Sequence, residues 1–268
     1  MRQVSAAGAV FNVVDRGAGP TVVLIHGFPL DHTMWQAQLD ALSMNNRLIA
    51  PDLRGFGRST ITEGTVGMEQ MADDLAALLD TMGIKQPVCL CGLSMGGYVS
   101  LAFWRKYRER VRSLILCDTR SAADTPEAAA ARKVLADKAT AEGMEQLAEA
   151  MLPKLIHPRT PADRPQVAAA VRRMILETNP RGAAAALRGM ALRPDCADLL
   201  QTINVRTLVF VGEQDTISPP DEMHKIAAAI PGAKFVVIPD AGHMSPMENP
   251  ERVKAELLTF LANELLMR

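Results

Sequence analysis

Val88-Cys89-Leu90-Cys91-Gly92-Leu93-Ser94-Met95-Gly96-Gly97 is the stretch that decides the fold. An apolar run leads into one serine held between two glycines as G-x-S-x-G, and the residues that follow, 98–107, suit a helix. Strand, serine and helix in that order make a nucleophile elbow. The turn is so sharp that the positions two before and two after the serine have no room for a side chain. The hydroxyl is then pushed out past the end of the strand. The N–H groups behind it open a helix, where unpaired donors and the helix dipole favour negative charge. Alone, the stretch reads equally well as a glycine-rich turn with an idle serine, so its setting matters.

Three further places supply that setting. Val22-Val23-Leu24-Ile25 is apolar throughout, as a strand buried on both faces is, and it runs into His26-Gly27-Phe28-Pro29. A tetrahedral intermediate on Ser94 needs two N–H donors for its oxyanion, and these are expected from Met95 and Phe28. His26 reads as a brace that hydrogen-bonds within this loop. Thr207-Leu208-Val209-Phe210-Val211 runs into Gly212 and then Asp215, and Phe235-Val236-Val237-Ile238 runs into a short loop carrying His243. Ser94 is a weak nucleophile until a base takes its proton. His243 can do so near neutral pH and can return the proton to a leaving alcohol. Asp215 would then fix the imidazole tautomer and stabilise the imidazolium. Asp240 reads as a turn residue, too close in sequence to reach behind His243.

In order and spacing these residues resemble the α/β-hydrolase superfamily, in its serine esterase and enol-lactonase branch. Pro51-Asp52-Leu53-Arg54-Gly55-Phe56-Gly57-Arg58-Ser59 is similar to the family's D-x-R-G-x-G-x-S loop, and the resemblance spans nearly the whole chain. It implies a mostly parallel central sheet with helices on both faces and an inserted helical cap. It also implies Ser94, Asp215 and His243 as the catalytic residues, in that chain order. Asp118, after Leu114-Ile115-Leu116-Cys117, competes with Asp215, because some relatives place the acid after that strand.

The chain has 268 residues, long enough for one large α/β domain or for a core with an insertion. Hydrophobic residues make up 48% and charged residues 22%, as in an ordinary globular protein, and the net charge of −1 argues against general nucleic-acid binding. Residues 1–10 lack the apolar stretch of a signal peptide, and no apolar segment approaches a membrane span. The four cysteines show no metal-ligand spacing, and Cys89, Cys91 and Cys117 sit in apolar strands as small buried thiols. A reduced cytoplasmic setting is the expectation, with no membrane partner, no metal and no cofactor.

Apolar runs at 10–14, 21–25, 47–50, 88–91, 113–117, 207–211 and 234–238 alternate with helical patterns at 68–82, 98–107, 221–230 and 250–267. This is the pattern of a parallel sheet covered on both faces. Asn249 and Pro250 start the last helix as N-cap and first residue, and Val253, Leu257, Leu261 and Leu265 give it an apolar stripe. From 119 to 201 the alternation stops. Thr125-Pro126 and Asn179-Pro180 cap helices, and Pro153, Pro158, Pro161 and Pro165 break the stretch between them. Residues 1–118 and 202–268 therefore read as the core domain and 119–201 as a cap over Ser94. Met144, Leu147, Met151, Leu155 and Ile156 are candidates to line the substrate pocket or to seal the cap onto the core. Residues 153–193 hold eight basic and two acidic residues. That excess reads as a solvated surface, or as attraction for an anionic substrate or an acidic carrier protein.

The chemistry expected is hydrolysis of a small carboxylic ester through an acyl-enzyme. The sequence also resembles enol-lactonases acting on 3-oxoadipate enol-lactone and methyl esterases acting on carrier-bound acyl chains. His26-Gly27-Phe28-Pro29-Leu30 with Met95 is similar to cofactor-free perhydrolases, which implies a side activity. Dehalogenases and epoxide hydrolases of this fold use an aspartate where Ser94 stands. Outside catalysis, some relatives use an intact site to sense a small ligand.

Overall fold

The computed structural model describes residues 1–265, with side chains through Ala262. Strands β1 (Arg2–Ala6), β2 (Ala9–Arg16), β3 (Thr21–Ile25), β4 (Arg47–Pro51), β5 (Val88–Leu93), β6 (Val111–Cys117), β7 (Arg206–Gly212) and β8 (Lys234–Ile238) form one sheet. Their spatial order is β1-β2-β4-β3-β5-β6-β7-β8. From β4 to β8 every pairing is parallel, while β1 and β2 join antiparallel at one edge. β5 is buried along its whole length, between β3 and β6, which accounts for its unbroken apolar run.

The apolar runs anticipated seven of these strands. β1 was not anticipated, because its inward positions are Val4 and Ala6 between polar Gln3 and Ser5, a weak signal. It exists because Ala7 and Gly8, at φ 48° and 70°, make the tight reversal that pairs it with β2.

The helices are α1 (Gln36–Leu42), α2 (Met68–Thr81), α3 (Met95–Tyr107), α4 (Pro126–Glu142), α5 (Glu145–Leu155), α6 (Thr160–Asp163), α7 (Pro165–Glu177), α8 (Pro180–Ala191), α9 (Ala197–Leu200), α10 (Pro220–Ala229), α11 (Ser245–Glu248) and α12 (Pro250–Leu265). In α12, Val253, Leu257 and Leu261 are buried and the Asn249 side chain accepts from the Arg252 N–H at 3.2 Å. The Leu265 side chain and Met267 lie outside the described residues. No helix among the described residues is long and apolar enough to cross a membrane.

Six helices, α4 to α9, are inserted between β6 and β7. Thr125 caps α4, accepting from Ala128 N–H at 3.2 Å, and Asn179 caps α8, accepting from Arg181 N–H at 3.0 Å. Pro153 does not break the chain as expected. It sits within the last turn of α5, where it leaves the Glu149 carbonyl without its helical donor, and the helix ends two residues later at Leu155. The inserted helices meet the core backbone to backbone. A Cβ on Gly182 would lie 2.0 Å from the Gly55 carbonyl oxygen, and one on Gly189 would lie 1.8 Å from that of Val66. Val66 N–H donates to Ala185 O at 3.0 Å, and Thr178 Oγ1 donates to Pro29 O at 2.9 Å.

β3 connects outward to β4, whereas β5 lies on the other side of β3 and leads toward β6. The carboxyl ends of β3 and β5 therefore flank the switch point of the sheet, where open α/β sheets place their ligands.

Candidate active site

Ser94 follows β5 directly and adopts φ 54°, ψ −112°, a conformation that L residues rarely take. α3 begins at the next residue. The glycines around Ser94 are required by contact. A Cβ on Gly92 would lie 2.2 Å from Gly96 O, and one on Gly96 would lie 2.3 Å from Ile25 O. The space forbidden to side chains is occupied by the backbone of β3 and of α3's first turn. Met95 is the first residue of α3, so its N–H has no partner one turn back. On the other side of the switch point, a Cβ on Gly27 would lie 3.5 Å from Ser94 Cβ, and Phe28 is the next residue. Of the two expected oxyanion donors, Met95 thus follows Ser94 directly, and Phe28 follows the glycine that lies against it.

His26 holds that loop in place. It is fully buried, and burial pushes it below its ordinary pKa. Its Nε2 accepts from Leu53 N–H at 2.9 Å, which leaves Nδ1–H to donate to Gly27 O at 2.9 Å. The D-x-R-G stretch completes the frame. Asp52 accepts from Asn12 Nδ2 at 2.8 Å and Arg58 N–H at 3.0 Å, and it pairs with His32 Nδ1 at 2.6 Å. Burial opposes its ionisation, but these partners, His32 foremost, hold its carboxyl down at about 2.

The carboxyl ends of β5, β6 and β7 are laced together. Ser94 N–H donates to Cys117 O at 2.9 Å, and Asp118 N–H donates to Phe210 O at 3.0 Å. His243, in the loop after β8, is 2% exposed. Its Nδ1 lies 2.7 Å from Asp215 Oδ2. Asp215 also accepts from Ile217 N–H at 2.8 Å, Ser218 N–H at 3.0 Å and Ser218 Oγ at 2.7 Å. Burial raises its pKa, yet the His243 charge and hydrogen bond together with the Ser218 donors outweigh it and hold the carboxyl below its ordinary value.

Asp118 does something different. It too is buried, and its carboxyl oxygens engage Gly212 N–H at 2.7 Å and Ser245 Oγ at 2.5 Å. Burial first, then the adjacent Asp215 charge, push it well above the carboxylate range. Of the two competing aspartates, Asp215 has the direct bond to the imidazole. Asp118 ties Ser245, two residues beyond His243, to the end of β6, one strand from Ser94. Asp240 is the turn residue it was expected to be, at φ 54° and exposed.

Asp118, Asp215 and His243 each offer a ligand-type atom within 4.8 Å of the others, as do Asp31, His32 and Asp52. In both groups the atoms already engage one another and the nearby backbone.

Of the pocket candidates, Met144 opens α5, and Leu147, Met151 and Leu155 lie along it. All but the half-buried Met151 are buried, as is Ile156. Leu155 and Ile156 touch the His243 loop: Met244 N–H donates to Leu155 O at 2.9 Å, and a Cβ on Gly242 would lie 2.7 Å from the Ile156 carbonyl carbon. The arginines of the later inserted helices are largely paired, Arg172 with Glu145, Arg181 with Glu63 at 2.6 Å, Arg188 with Asp137 at 2.9 Å and Arg193 with Asp124 at 2.7 Å.

A family model for the α/β hydrolase fold matches residues 20–250. The chain belongs to the α/β-hydrolase family. Among solved structures this α/β hydrolase is similar to a thermophilic esterase from Thermogutta terrifontis, with 48% identity, a TM-score of 0.97, and 98% of this chain and 99% of that one covered. It is also similar to the enol-lactonase from Burkholderia xenovorans LB400, at 30% identity and a TM-score of 0.91, covering 97% and 100%. A curated relative, 3-oxoadipate enol-lactonase 1 of Acinetobacter baylyi, is 27% identical over 87% of this chain and 85% of its own. Esterase and lactonase relatives together make this chain a hydrolase.

Ser218, Ser245 and Glu248 were missed in the sequence. Ser218 carried a faint signal, since an aspartate followed three residues later by serine is a side-chain-to-backbone turn pattern. Ser245 and Glu248 carried none, because, Gly242 apart, their partners lie far away along the chain.

Proposed function

We propose that this hydrolase cleaves carboxylic esters through an acyl-enzyme on Ser94. The reading rests on one observation above all. One end of the sheet presents an elbow serine after β5 and, after β8, three strands along, an imidazole whose Nδ1 lies 2.7 Å from a buried carboxylate. In this scheme Asp215 accepts a hydrogen bond from His243 Nδ1–H, which keeps Nε2 unprotonated and free to take a proton from Ser94 Oγ. The alkoxide attacks the carbonyl carbon. The resulting oxyanion receives the N–H groups of Met95 and Phe28, and the helix dipole of α3 favours it further. His243 then gives its proton to the departing alkoxide. A water, deprotonated by the same imidazole, releases the acid.

A lactone is an ester whose alcohol stays attached, so the same steps open a ring. The enol-lactonase relatives favour this second substrate class. A small ester or lactone is carried forward rather than a carrier-bound chain, because most of the arginines that would attract an acidic carrier already have carboxylate partners. Residues 119–201 act in this reading as a cap domain on a core of 1–118 and 202–268, with Leu155 and Ile156 closing the site beside His243.

The test is a panel of p-nitrophenyl esters and enol-lactones run on the parent and on Ser94→Ala. Turnover should fall by on the order of 10⁴–10⁶ in the variant, with its melting temperature kept. Activity that survives in Ser94→Ala rejects the nucleophile. Relative kcat/KM across the panel separates esterase from lactonase.

A further inference from the structure

The loop that carries His243 is tied to the insertion directly at Asp240 and Met244, and at Gly242 through Glu248 of α11. Asp240 O accepts from Arg164 Nη2 at 2.7 Å. Gly242 N–H donates to Glu248 Oε2 at 2.7 Å, and Met244 N–H donates to Leu155 O at 2.9 Å. Gly242 has no space for a side chain, since a Cβ there would lie 2.6 Å from His157 N. Both neighbours of His243 are thus held, one of them through Glu248.

Glu248 is the side chain that joins the two segments. It is 2% exposed. While Oε2 takes the Gly242 N–H, Oε1 accepts from His157 N–H and from Thr160 Oγ1, each at 2.6 Å. Its own backbone carbonyl accepts from Arg164 Nη1. A buried carboxyl must find donors for its oxygens, and here it finds three. An apolar residue would fill the same volume without that demand. What the carboxylate adds is direction: three bonds that set the His243 loop against residues 157–160 in one geometry.

We infer that Glu248 is a positioning residue for His243, and that the stretch 155–164 is a fixed brace for the base rather than part of an opening lid. The inference rests on His243 being the base, as proposed above. It assigns to cap residues a role in the chemical step. Disturbing the brace should therefore lower kcat more than it alters KM.

The experiment compares Glu248→Gln, Thr160→Val and His243→Ala with the parent enzyme. Glutamine keeps the volume but turns an NH2 group toward either Gly242 N–H or His157 N–H, donor against donor. Thr160→Val removes a single hydroxyl and leaves the packing intact. Two assays are read: kcat and KM on a p-nitrophenyl ester, and the rate at which a small fluorophosphonate modifies Ser94, a reaction that needs the base but no substrate pocket. Glu248→Gln should lower kcat and the modification rate together by about 10- to 100-fold, the usual consequence of a displacement near 1 Å, with KM little changed. Thr160→Val should lower both in the same sense by less. A purely structural role would lower the melting temperature and leave both rates of the folded enzyme at the parent's values. That result, or a raised KM with an unaltered modification rate, overturns the inference. If Glu248→Gln does not fold, Thr160→Val decides alone, and parental rates in it overturn the inference equally. Full turnover in His243→Ala would instead refute the assignment of the base.

Discussion

Asp118 and Asp215 lie behind His243 with carboxyl atoms within 4.8 Å of the same cluster, and both are buried. Replacing each by asparagine should nonetheless give opposite results. Asp215 is held ionised, with its Oδ2 2.7 Å from Nδ1. In Asp215→Asn the amide can present NH2 to Nδ1, which selects the tautomer protonated at Nε2, and that tautomer cannot accept the Ser94 proton. The expected loss in kcat is about 10⁴-fold, or about 5.5 kcal/mol on the barrier. Burial first, then the Asp215 charge, push Asp118 well above the carboxylate range and so favour its protonated form. A neutral acid accepts with one oxygen and donates with the other, and an asparagine does the same. Its oxygen can take the Gly212 N–H, and its NH2 can donate to Ser245 Oγ once that hydroxyl, which donates to Asp118 Oδ2 in the parent, turns to accept. With both bonds kept, Asp118→Asn should lose less than about tenfold in kcat, the equivalent of one neutral hydrogen bond. Stability should separate the two further. An acid whose folded pKa lies above the ordinary 3.8 binds its proton more tightly folded than unfolded, so the parent loses stability as pH rises from there toward the folded value. Asp118→Asn lacks that loss. Its melting temperature relative to the parent should climb as pH rises above about 4. Turnover of p-nitrophenyl butyrate and thermal melts across this range are sufficient assays. A collapse of activity in Asp118→Asn with Asp215→Asn near the parent would refute the reasoning and make Asp118 the acid.

Three other outcomes follow from the same contacts. Gly96→Ala puts a Cβ 2.3 Å from the Ile25 carbonyl, so denaturant melts should show a loss of more than about 3 kcal/mol or no folded protein at all. His32→Gln should destabilise most between pH 4 and 6. Burial lowers the His32 pKa but the Asp52 bond and charge prevail and raise it, so its contribution is present below 6.5 and fades as pH climbs through the folded value; the Asp52 share is lost only toward its pKa of about 2. Melts of parent and variant should therefore converge above neutral pH. Gly189→Ala drives a Cβ to within 1.8 Å of Val66 O and should unseat α8, seen as faster proteolytic nicking within 119–201 while the core fragments persist.

The elbow was legible because its demands are local. Gly92 and Gly96 are glycine for reasons that lie within a few residues or on the adjacent strand, and a strand-serine-helix order leaves a mark in five positions. Asp215 and His243 were legible for a similar reason: each follows an apolar strand at a carboxyl edge, where chemistry collects. Choosing Asp215 over Asp118 was open in the sequence, since both follow such strands, and only the Nδ1 contact separates them. Ser245 and Glu248 left no signal, because Ser245's partner is 127 residues away and, apart from Gly242, those of Glu248 are 91 and 88 residues away. The insertion was recognised by the absence of strand signals, but the seating of α8 on Gly55 and Val66 depends on backbone approach, which leaves only scattered glycines in the sequence.

The most direct measurement of the central claim is the site of covalent capture. Incubating the enzyme with a fluorophosphonate and mapping the adduct by peptide mass spectrometry should place it on Ser94, at one per chain, with labelling abolished in Ser94→Ala and sharply slowed in His243→Ala. An adduct on any other residue, or labelling indifferent to His243, would contradict the account.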